Sequence, residues 1–290
     1  MYKKQIVVIV LVAIIMGYLH FLPLIGTLKT GQADGHAKAP APQQRQVVNV
    51  TADMVSSAGK IAVGPALAEQ ISNLESQLLK APDASKLSLQ KKLAREWDDV
   101  NQPAPAAFYY RVIAEKENTF GDWIDAGNRF NDAFKFDQDT VSQPSFILDA
   151  IACFKKAVKM RPADLDAKTG LGVAYVNQTS LGMTDPDGGS PMQGIMLLLD
   201  VVKQDPKNYN ANLDLGMFAM NSRQYDKAVQ RLKTVIAEKP GYEPYFYLAE
   251  SYKQLGMKKE AIDAYQKSRD LMPDSAFDRR IDAYIKELKE

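Results

Sequence analysis

The residue types that most often carry enzyme chemistry are scarce in this sequence. Histidine occurs only at His20 and His36, ahead of any segment that we expect to fold, and the one cysteine is Cys153. A histidine general base, a Ser-His-Asp triad and a histidine metal site all need histidine within the fold. These enzyme classes are therefore excluded. A catalytic pair of carboxylates stays open, because 35 acidic residues produce pairs by chance.

Four short motifs contain some, but not all, of the residues of a known ligand-binding motif. They are Gly170-x-Gly172, the glycines within 187–190, and the aspartate pairs at 137/139 and 185/187. No third glycine, phosphate-loop lysine or downstream calcium-loop glutamate accompanies them. We interpret them as helix-packing and turn residues, and we expect Cys153 to be a small buried residue. We therefore expect neither metal nor cofactor, and we predict that the chain is not an enzyme.

The charge balance argues against nucleic acid as a partner. The 290 residues carry 36 Lys and Arg against 35 Asp and Glu, a formal net charge of +1. Such a balance gives no field of the kind that attracts a phosphate backbone. The length is sufficient for a sizeable core without disulfides, so we expect a folded protein that does not bind nucleic acid.

The first residues predict export of the folded part. Lys3 and Lys4 precede fourteen uninterrupted apolar residues from Ile6 to Leu19, and the apolar stretch continues to Ile25. A helix of that length can just cross a bilayer, and the lysines favour a cytoplasmic start. We expect a single-pass inner-membrane anchor over 1–28, with the folded domain in the periplasm. The alternative is a cleaved secretory signal with a processing site near Gly35-His36-Ala37, which would release the protein into the periplasm.

Two segments separate the anchor from the rest of the chain. Residues 29–64 are predicted to be a flexible linker, because the run TGQADGHAKAPAPQQRQ within them has few large apolar side chains. Residues 65–81 are predicted to form an amphipathic helix with Leu67, Ile71, Leu74 and Leu78 on one stripe. This helix either packs on the adjacent folded domain or forms a short coiled coil that makes the protein a homo-oligomer.

One spacing recurs through the remaining sequence. Leu215 is followed by Ala228, Leu232 and Pro240 at offsets of 13, 17 and 25, and a second copy repeats these offsets from Leu248. Five copies are in register, and the position equivalent to Leu215 is Leu93, Ala126, Leu171, Leu215 and Leu248 in the order of the sequence. Each copy predicts two antiparallel helices, with small residues where the helices cross and proline where the second helix must stop.

This pattern resembles the tetratricopeptide repeat family, whose consensus is W-x2-L-G-x2-Y, then A-x3-F, then P over about 34 residues. The resemblance implies an all-α fold, an α-solenoid of about five helix hairpins over 82–275. The apolar stripe of residues 276–290 predicts a C-terminal capping helix. The sequence departs from the pattern at Asn118, which replaces proline, and in two insertions near 132–143 and 179–192.

The first insertion contains two aromatic residues that are unusual in a solvated loop, Phe134 and Phe136. Either they extend the preceding helix and pack locally, which we favour, or they form an exposed anchor for a partner. Both insertions join the two helices of a hairpin and are expected to emerge on the same edge of the solenoid. That edge is the second candidate surface.

The resemblance also implies a binding groove lined by the first helix of each repeat. The groove residues it implies are Asn128, Asn131, Val173, Asn177, Asn210, Leu213, Met217, Asn221 and Phe246. Lys253 is the one cation among the positions carried over from the family, so we predict against a clamp for a terminal carboxylate. Asparagine amides both donate and accept, and they therefore favour an extended or helical protein segment as the ligand.

These observations lead to one functional hypothesis and one alternative. The hypothesis is a membrane-tethered adaptor or scaffold that binds a protein or peptide in its groove and supports assembly or localisation of a cell-envelope complex. The alternative is a self-associating architectural protein that uses the helix over 66–80 or the cap and has no peptide ligand.

Overall fold

The computed structural model describes residues 47–137, 139–183, 191–272 and 274–290. These ranges contain thirteen α-helices and no strand. The helices are α1 Ala52–Val63, α2 Pro65–Lys80, α3 Asp83–Asp99, α4 Pro103–Glu117, α5 Phe120–Phe136, α6 Gln143–Met160, α7 Leu165–Ser180, α8 Pro191–Gln204, α9 Tyr209–Asn221, α10 Tyr225–Glu238, α11 Tyr242–Gln254, α12 Lys258–Asp270 and α13 Ser275–Lys289. The predicted all-α class is confirmed.

The predicted anchor over 1–28 lies outside the described residues, as does the start of the predicted linker. Of the helices in the described ranges, none combines the length and apolar character needed to span a bilayer.

Ten of the helices form the five expected hairpins, stacked in the order of the sequence. The hairpins are α3–α4, α5–α6, α7–α8, α9–α10 and α11–α12, and each packs on the next. The final helix, α13, packs on α12 and buries the stripe that contains Phe277, Ile281 and Ile285. The solenoid and its capping helix therefore follow the repeat pattern of the sequence.

Proline and asparagine residues account for the ends of several helices. Helices α6, α8 and α10 each end two residues before a proline, at Pro162, Pro206 and Pro240, because proline cannot continue the helical hydrogen bonding. At the end of α4, where proline is missing, Asn118 closes the helix in the left-handed conformation at φ 50°, a conformation that asparagine tolerates. The missing proline is therefore compensated by an αL cap.

Glycines allow the helices of the repeats to approach closely. A Cβ atom at Gly194 on α8 would lie 2.5 Å from the carbonyl oxygen of Gly172 on α7. A Cβ atom at Gly127 would lie 2.8 Å from the ring of Phe154, and one at Gly170 would overlap the same ring. These positions exclude side chains, so the glycines have a packing role.

Helix α1 corrects the prediction of a linker that extends to residue 64. Thr51 caps the helix by accepting a hydrogen bond from the backbone of Met54, and a Cβ atom at Gly59 would lie 2.8 Å from the ring of Trp97. Ser56 and Lys60 both bond the carboxylate of Glu75 on α2, at 2.5 and 2.6 Å. The helix buries small residues rather than large apolar ones, so it gave no strong hydrophobic period.

Helix α2 packs on the first hairpin. Ile71 and Leu74 are buried in one cluster with Leu93 and Trp97 of α3, and Leu78 packs against this cluster. The sequence left two alternatives for this helix, packing on the folded domain or forming a coiled coil. In the structure its apolar stripe packs on α3.

The first insertion lengthens α5 and gives its two aromatic residues different environments. Phe134 is half-buried and packs against the core of the second and third hairpins. Phe136, the last residue of α5, is 57% exposed. Local packing is therefore correct for Phe134, whereas Phe136 remains open to solvent.

Candidate binding face

The first helices of the second to fifth hairpins, α5, α7, α9 and α11, contact one another in series. We call their shared surface the inner face. Lys135 at the end of α5 forms an ion pair of 2.9 Å with Glu243 at the start of α11. Two hairpins lie between these helices along the chain, so the row of first helices must curve for the pair to form. The inner face is therefore concave.

Three of the asparagines expected in the groove are exposed. Asn128 lies on α5, and Asn210 and Asn221 lie near the two ends of α9. Met217, between the last two, is half-buried. Amide groups on such a surface are available to pair with the backbone of a bound segment.

The other two asparagines are half-buried. The amide nitrogen of Asn131 on α5 donates to the carbonyl oxygen of Gly170 on α7 at 3.2 Å, while its side-chain oxygen is buried without a hydrogen-bond partner. Asn177 lies in the last turn of α7, where its carbonyl oxygen accepts a hydrogen bond from Ser180. Asn131 thus links two neighbouring first helices.

The apolar residues expected in the groove are half-buried and support the core. Val173 packs against the cluster around Leu198, and Leu213 packs against the cluster of the last two hairpins and the cap. The ring of Phe246 lies 6.0 Å from Tyr265 on α12 and 6.3 Å from Phe277 on α13. Phe246 therefore also contributes to the packing of the cap.

Lys253, the cation predicted in the groove, already has a partner. Its ammonium lies 3.0 Å from Glu287 on α13 and 5.4 Å from the centre of the Tyr284 ring. Its charge is therefore used to hold the capping helix against α11.

A cluster of polar residues that the sequence did not reveal joins α5, α9 and α11 on the inner face. We call it the Lys135 cluster; it consists of Lys135, Tyr209, Asp214, Glu243 and Tyr247. The hydroxyl of Tyr247 donates to the same Glu243 oxygen that pairs with Lys135, at 3.2 Å. The ammonium of Lys135 also lies 5.6 Å from the centre of the Phe136 ring.

Electrostatics in this cluster are dominated by burial. Burial raises the pKa of Asp214 from 3.8 to about 7; Lys135 opposes this change and Glu243 adds to it. Burial, followed by the charge of Glu243, raises the pKa of Tyr209 and that of Tyr247. Asp214 has no hydrogen bond or ion pair with any described residue, so the charge of Lys135 offsets only part of the cost of ionising it.

The repeat pattern could not place Lys135 on this face, because Lys135 lies in the extension of α5 beyond the consensus. The sequence could have indicated Asp214, because this residue directly follows Leu213 on a first helix. The pairing of α5 with α11 depends on the curvature of the stack, which single repeats do not encode.

A second polar network lies beside a cleft at the amino-terminal end of the stack. Arg129 on α5 pairs with Asp98 at 2.6 Å and with Asp132 at 3.0 Å. Burial, with Asp98 as a hydrogen-bond partner, raises the pKa of Tyr110 to about 12. The neighbouring cleft has a volume of about 400 Å³ between α1, the start of α4 and the end of α5, and Phe136 forms part of its wall.

Cys153 is buried on α6 at 1% exposure, and burial raises the pKa of its thiol to about 12. A thiol in this state is a poor nucleophile. Within the described ranges, no three His, Cys, Asp or Glu side chains come together in a way that could hold a metal ion.

Two stretches of the chain match the tetratricopeptide repeat family, at residues 191–251 and 242–275. Residues 191–275 therefore match the tetratricopeptide repeat that the spacing predicted. Repeats of this class stack into solenoids with an extended surface for other proteins, which indicates protein–protein interaction and a scaffolding role.

Several solved structures are similar to parts of this chain. TTC0263, a thermophilic TPR protein of Thermus thermophilus, has a TM-score of 0.54 at 19% identity, covering 68% of this chain and 97% of that chain. YrrB, titled a TPR protein with an unusual peptide-binding site, has a TM-score of 0.40 at 18% identity, covering 73% and 95%. MamA has a TM-score of 0.42 at 18% identity, covering 64% and 92%. No curated protein sequence matches the chain.

Proposed function

We propose that this protein is a membrane-tethered adaptor whose inner face binds a segment of another protein and supports assembly or localisation of a cell-envelope complex. The proposal rests on the curvature that the Lys135–Glu243 ion pair indicates. A concave surface lets several helices contact one ligand at the same time. Asn128, Asn210 and Asn221 are exposed on first helices, which supports the proposal that their amides hydrogen-bond the bound segment.

The charges of the inner face favour an internal segment over a chain terminus that ends in a carboxylate. Capture of a carboxylate needs cations that are free to donate. Lys135 and Lys253 are paired with Glu243 and Glu287, so binding a terminal carboxylate would require breaking an existing ion pair.

Self-association is the less favoured function, because most of the two apolar stripes available for it is already packed. Ile71 and Leu74 of α2 are buried against the first hairpin. The stripe of α13 is likewise buried, with Phe277, Ile281 and Leu288 at 8% exposure or less. Leu67 and Leu79 are the large apolar residues of α2 that remain exposed, at 37% and 85%, so a dimer through this helix would have to use these two side chains.

The membrane tether is part of the same proposal and depends on the sequence of residues 1–28. Alkaline extraction of native membranes and the mass of the mature amino terminus test it together. An anchor predicts a membrane-bound chain that begins at its first residues, whereas a cleaved signal predicts a soluble chain that begins near residue 38. A soluble protein with an intact amino terminus would contradict both.

The groove is tested by crosslinking the full-length chain in its native membranes and identifying the captured proteins. The test variant carries Asn128→Ala, Asn210→Ala and Asn221→Ala, all at exposed positions that leave the core intact. The matched control carries Gln230→Ala and Gln266→Ala, which remove exposed amides from the second helices α10 and α12.

The proposal predicts that the asparagine variant loses a specific set of captured proteins and that the glutamine control keeps it. Capture of the same set by all three chains would overturn the inner face as the binding site. In that case the edge that carries the two insertions would become the leading surface.

A further inference from the structure

The charges of the Lys135 cluster do not balance. Asp214 on α9 and Glu243 on α11 contribute two carboxylates, whereas α5 contributes one ammonium, that of Lys135. The ammonium is bound to Glu243 at 2.9 Å, and Tyr247 donates to the same carboxylate. Asp214 is left with no donor among the described residues.

The carboxylate of Asp214 is a hydrogen-bond acceptor that has no donor among the described residues. Asp214 is half-buried, so its charged form is partly removed from water while the carboxyl remains reachable from the inner face. Partial removal from water costs an ionised carboxylate free energy, and a donor brought by a ligand reduces that cost. A positively charged donor removes more of it than a neutral one.

We propose that Asp214 and Glu243, with Tyr209 and Tyr247 beside them, form a subsite for the cationic side chain of a lysine or arginine in the bound segment. This inference rests on the proposed function, because it specifies which segment the inner face selects. A cation between the two carboxylates would bring the cluster to electrical neutrality.

Tyr209 and Tyr247 are suited to pack against the apolar stem of a lysine or arginine side chain. Lysine and arginine carry long apolar stems that pack along aromatic and aliphatic groups while the charged end stays with its partner. Tyr209 precedes Asp214 on α9 and Tyr247 follows Glu243 by one turn on α11, so the subsite has an aromatic residue on each of its two helices. Aromatic faces also attract cations directly.

Lys135 has the role of an internal occupant in the free protein. Its ammonium neutralises Glu243 at 2.9 Å and stays there, so the cation of the ligand supplies the charge that Asp214 lacks.

The probe for this subsite is a display library of random short peptides, selected on the full-length chain in detergent micelles. We expect the selected peptides to share a lysine or arginine at one position. The measured quantity is the Kd of one such peptide for wild type, for Asp214→Asn and for Asp166→Asn. Asp166 is the matched control, because it is an exposed aspartate on the neighbouring first helix α7.

Asp214→Asn should weaken the peptide about tenfold or more, which is typical of a lost hydrogen bond to a charged group, whereas Asp166→Asn should leave the Kd within about twofold. Replacing the basic residue of the peptide by norleucine should weaken binding to wild type by a similar factor and add little to the effect of Asp214→Asn. This coupling distinguishes a direct contact from a loss of fold.

Two results would overturn the subsite. One is a set of selected peptides without a shared basic residue, or with a shared acidic one. The other is equal affinity of the basic peptide for wild type and Asp214→Asn. If such peptides still lose binding in the triple asparagine variant, the proposed function stands and only the subsite fails. If the library yields no peptide that depends on the inner face, both fail together.

Discussion

The ring of Phe154 on α6 occupies the space that a side chain at Gly170 on α7 would need. Gly127 on α5 faces the same ring, where a Cβ atom would lie 2.8 Å from it. One aromatic side chain thus joins the second hairpin to the third, and it requires a glycine on each neighbouring first helix.

Gly170→Ala should therefore destabilise the protein. Overpacking of a filled core costs about 1–3 kcal/mol, which lowers the Tm by several degrees in a protein of this size. Thermal denaturation followed by circular dichroism measures the effect. Gly121→Ala is the control, because nothing lies within 4 Å of a Cβ atom at that position. A Tm for Gly170→Ala equal to that of wild type would show that the ring can move aside.

The two aromatic residues of the first insertion should respond differently to truncation. Phe134→Ala removes a side chain packed against the core and should cost about 1–3 kcal/mol. Phe136→Ala removes a side chain that is 57% exposed and should change the free energy of unfolding by about 0.5 kcal/mol or less. Urea denaturation of the two variants checks this, and equal effects would contradict the packing described for α5.

Cys153 should be unreactive in the folded protein. Its thiol is buried and its pKa is raised to about 12, so almost no thiolate forms near neutral pH. A thiol reagent such as Ellman's reagent should label it only after denaturant is added. Rapid labelling of the native protein would show that α6 opens readily or that the thiol is accessible.

Most of the fold could be predicted because each repeat encodes its own hairpin. The spacing from Leu215 to Ala228 and Pro240 fixes two helices and their end, and five copies fix the stack. Helix α1 could not be predicted in the same way. Its buried positions are Val55, Ser56 and Gly59, and a face of small residues gives little hydrophobic contrast.

The candidate site was predicted only in part. The positions of Asn128 and Asn210 follow from the register within one repeat, and both are exposed on first helices. The contact of Lys135 with Glu243 spans 108 residues and depends on the small rotation accumulated between successive hairpins. That rotation is a property of the interfaces, so it cannot be read from the repeat consensus.

Lys135→Met should change the electrostatics of the inner face more than its stability. An exposed ion pair contributes about 1 kcal/mol or less, so the Tm should change little. Lys135 lowers the pKa of Asp214, so its removal should move the titration of that carboxyl to higher pH. Carbon-13 NMR of labelled aspartate side chains measures the midpoint.

The control for this measurement is Lys253→Met, which removes the other cation of the inner face. Lys253 pairs with Glu287 on the capping helix and is not among the groups that affect the pKa of Asp214. Its removal should leave the Asp214 midpoint in place. Equal midpoints in wild type and Lys135→Met would show that the ammonium lies farther from Asp214 than the structure places it.

Asp214→Asn should stabilise the protein at neutral and alkaline pH. The pKa of Asp214 is about 7 in the folded protein and near 3.8 in an unfolded chain, so between these values the folded state holds a proton that the unfolded state releases. Stability therefore falls as the pH rises through this window, and above about pH 7 the folded state carries the whole cost of the buried carboxylate. Asparagine is neutral throughout and avoids this cost.

The expected difference in the free energy of unfolding is about 1–2 kcal/mol at pH 8, discounted for the partial exposure of the side chain. The difference should shrink as the pH falls from about 7 to about 3, which is below the unfolded pKa of 3.8, so that wild type is protonated in both states. Tm values of wild type and Asp214→Asn across this range provide the measurement, with Asp166→Asn as the exposed control. Parallel curves for wild type and Asp214→Asn would mean that the carboxyl of Asp214 titrates normally, and that Lys135 and water, rather than a missing ligand cation, already satisfy it.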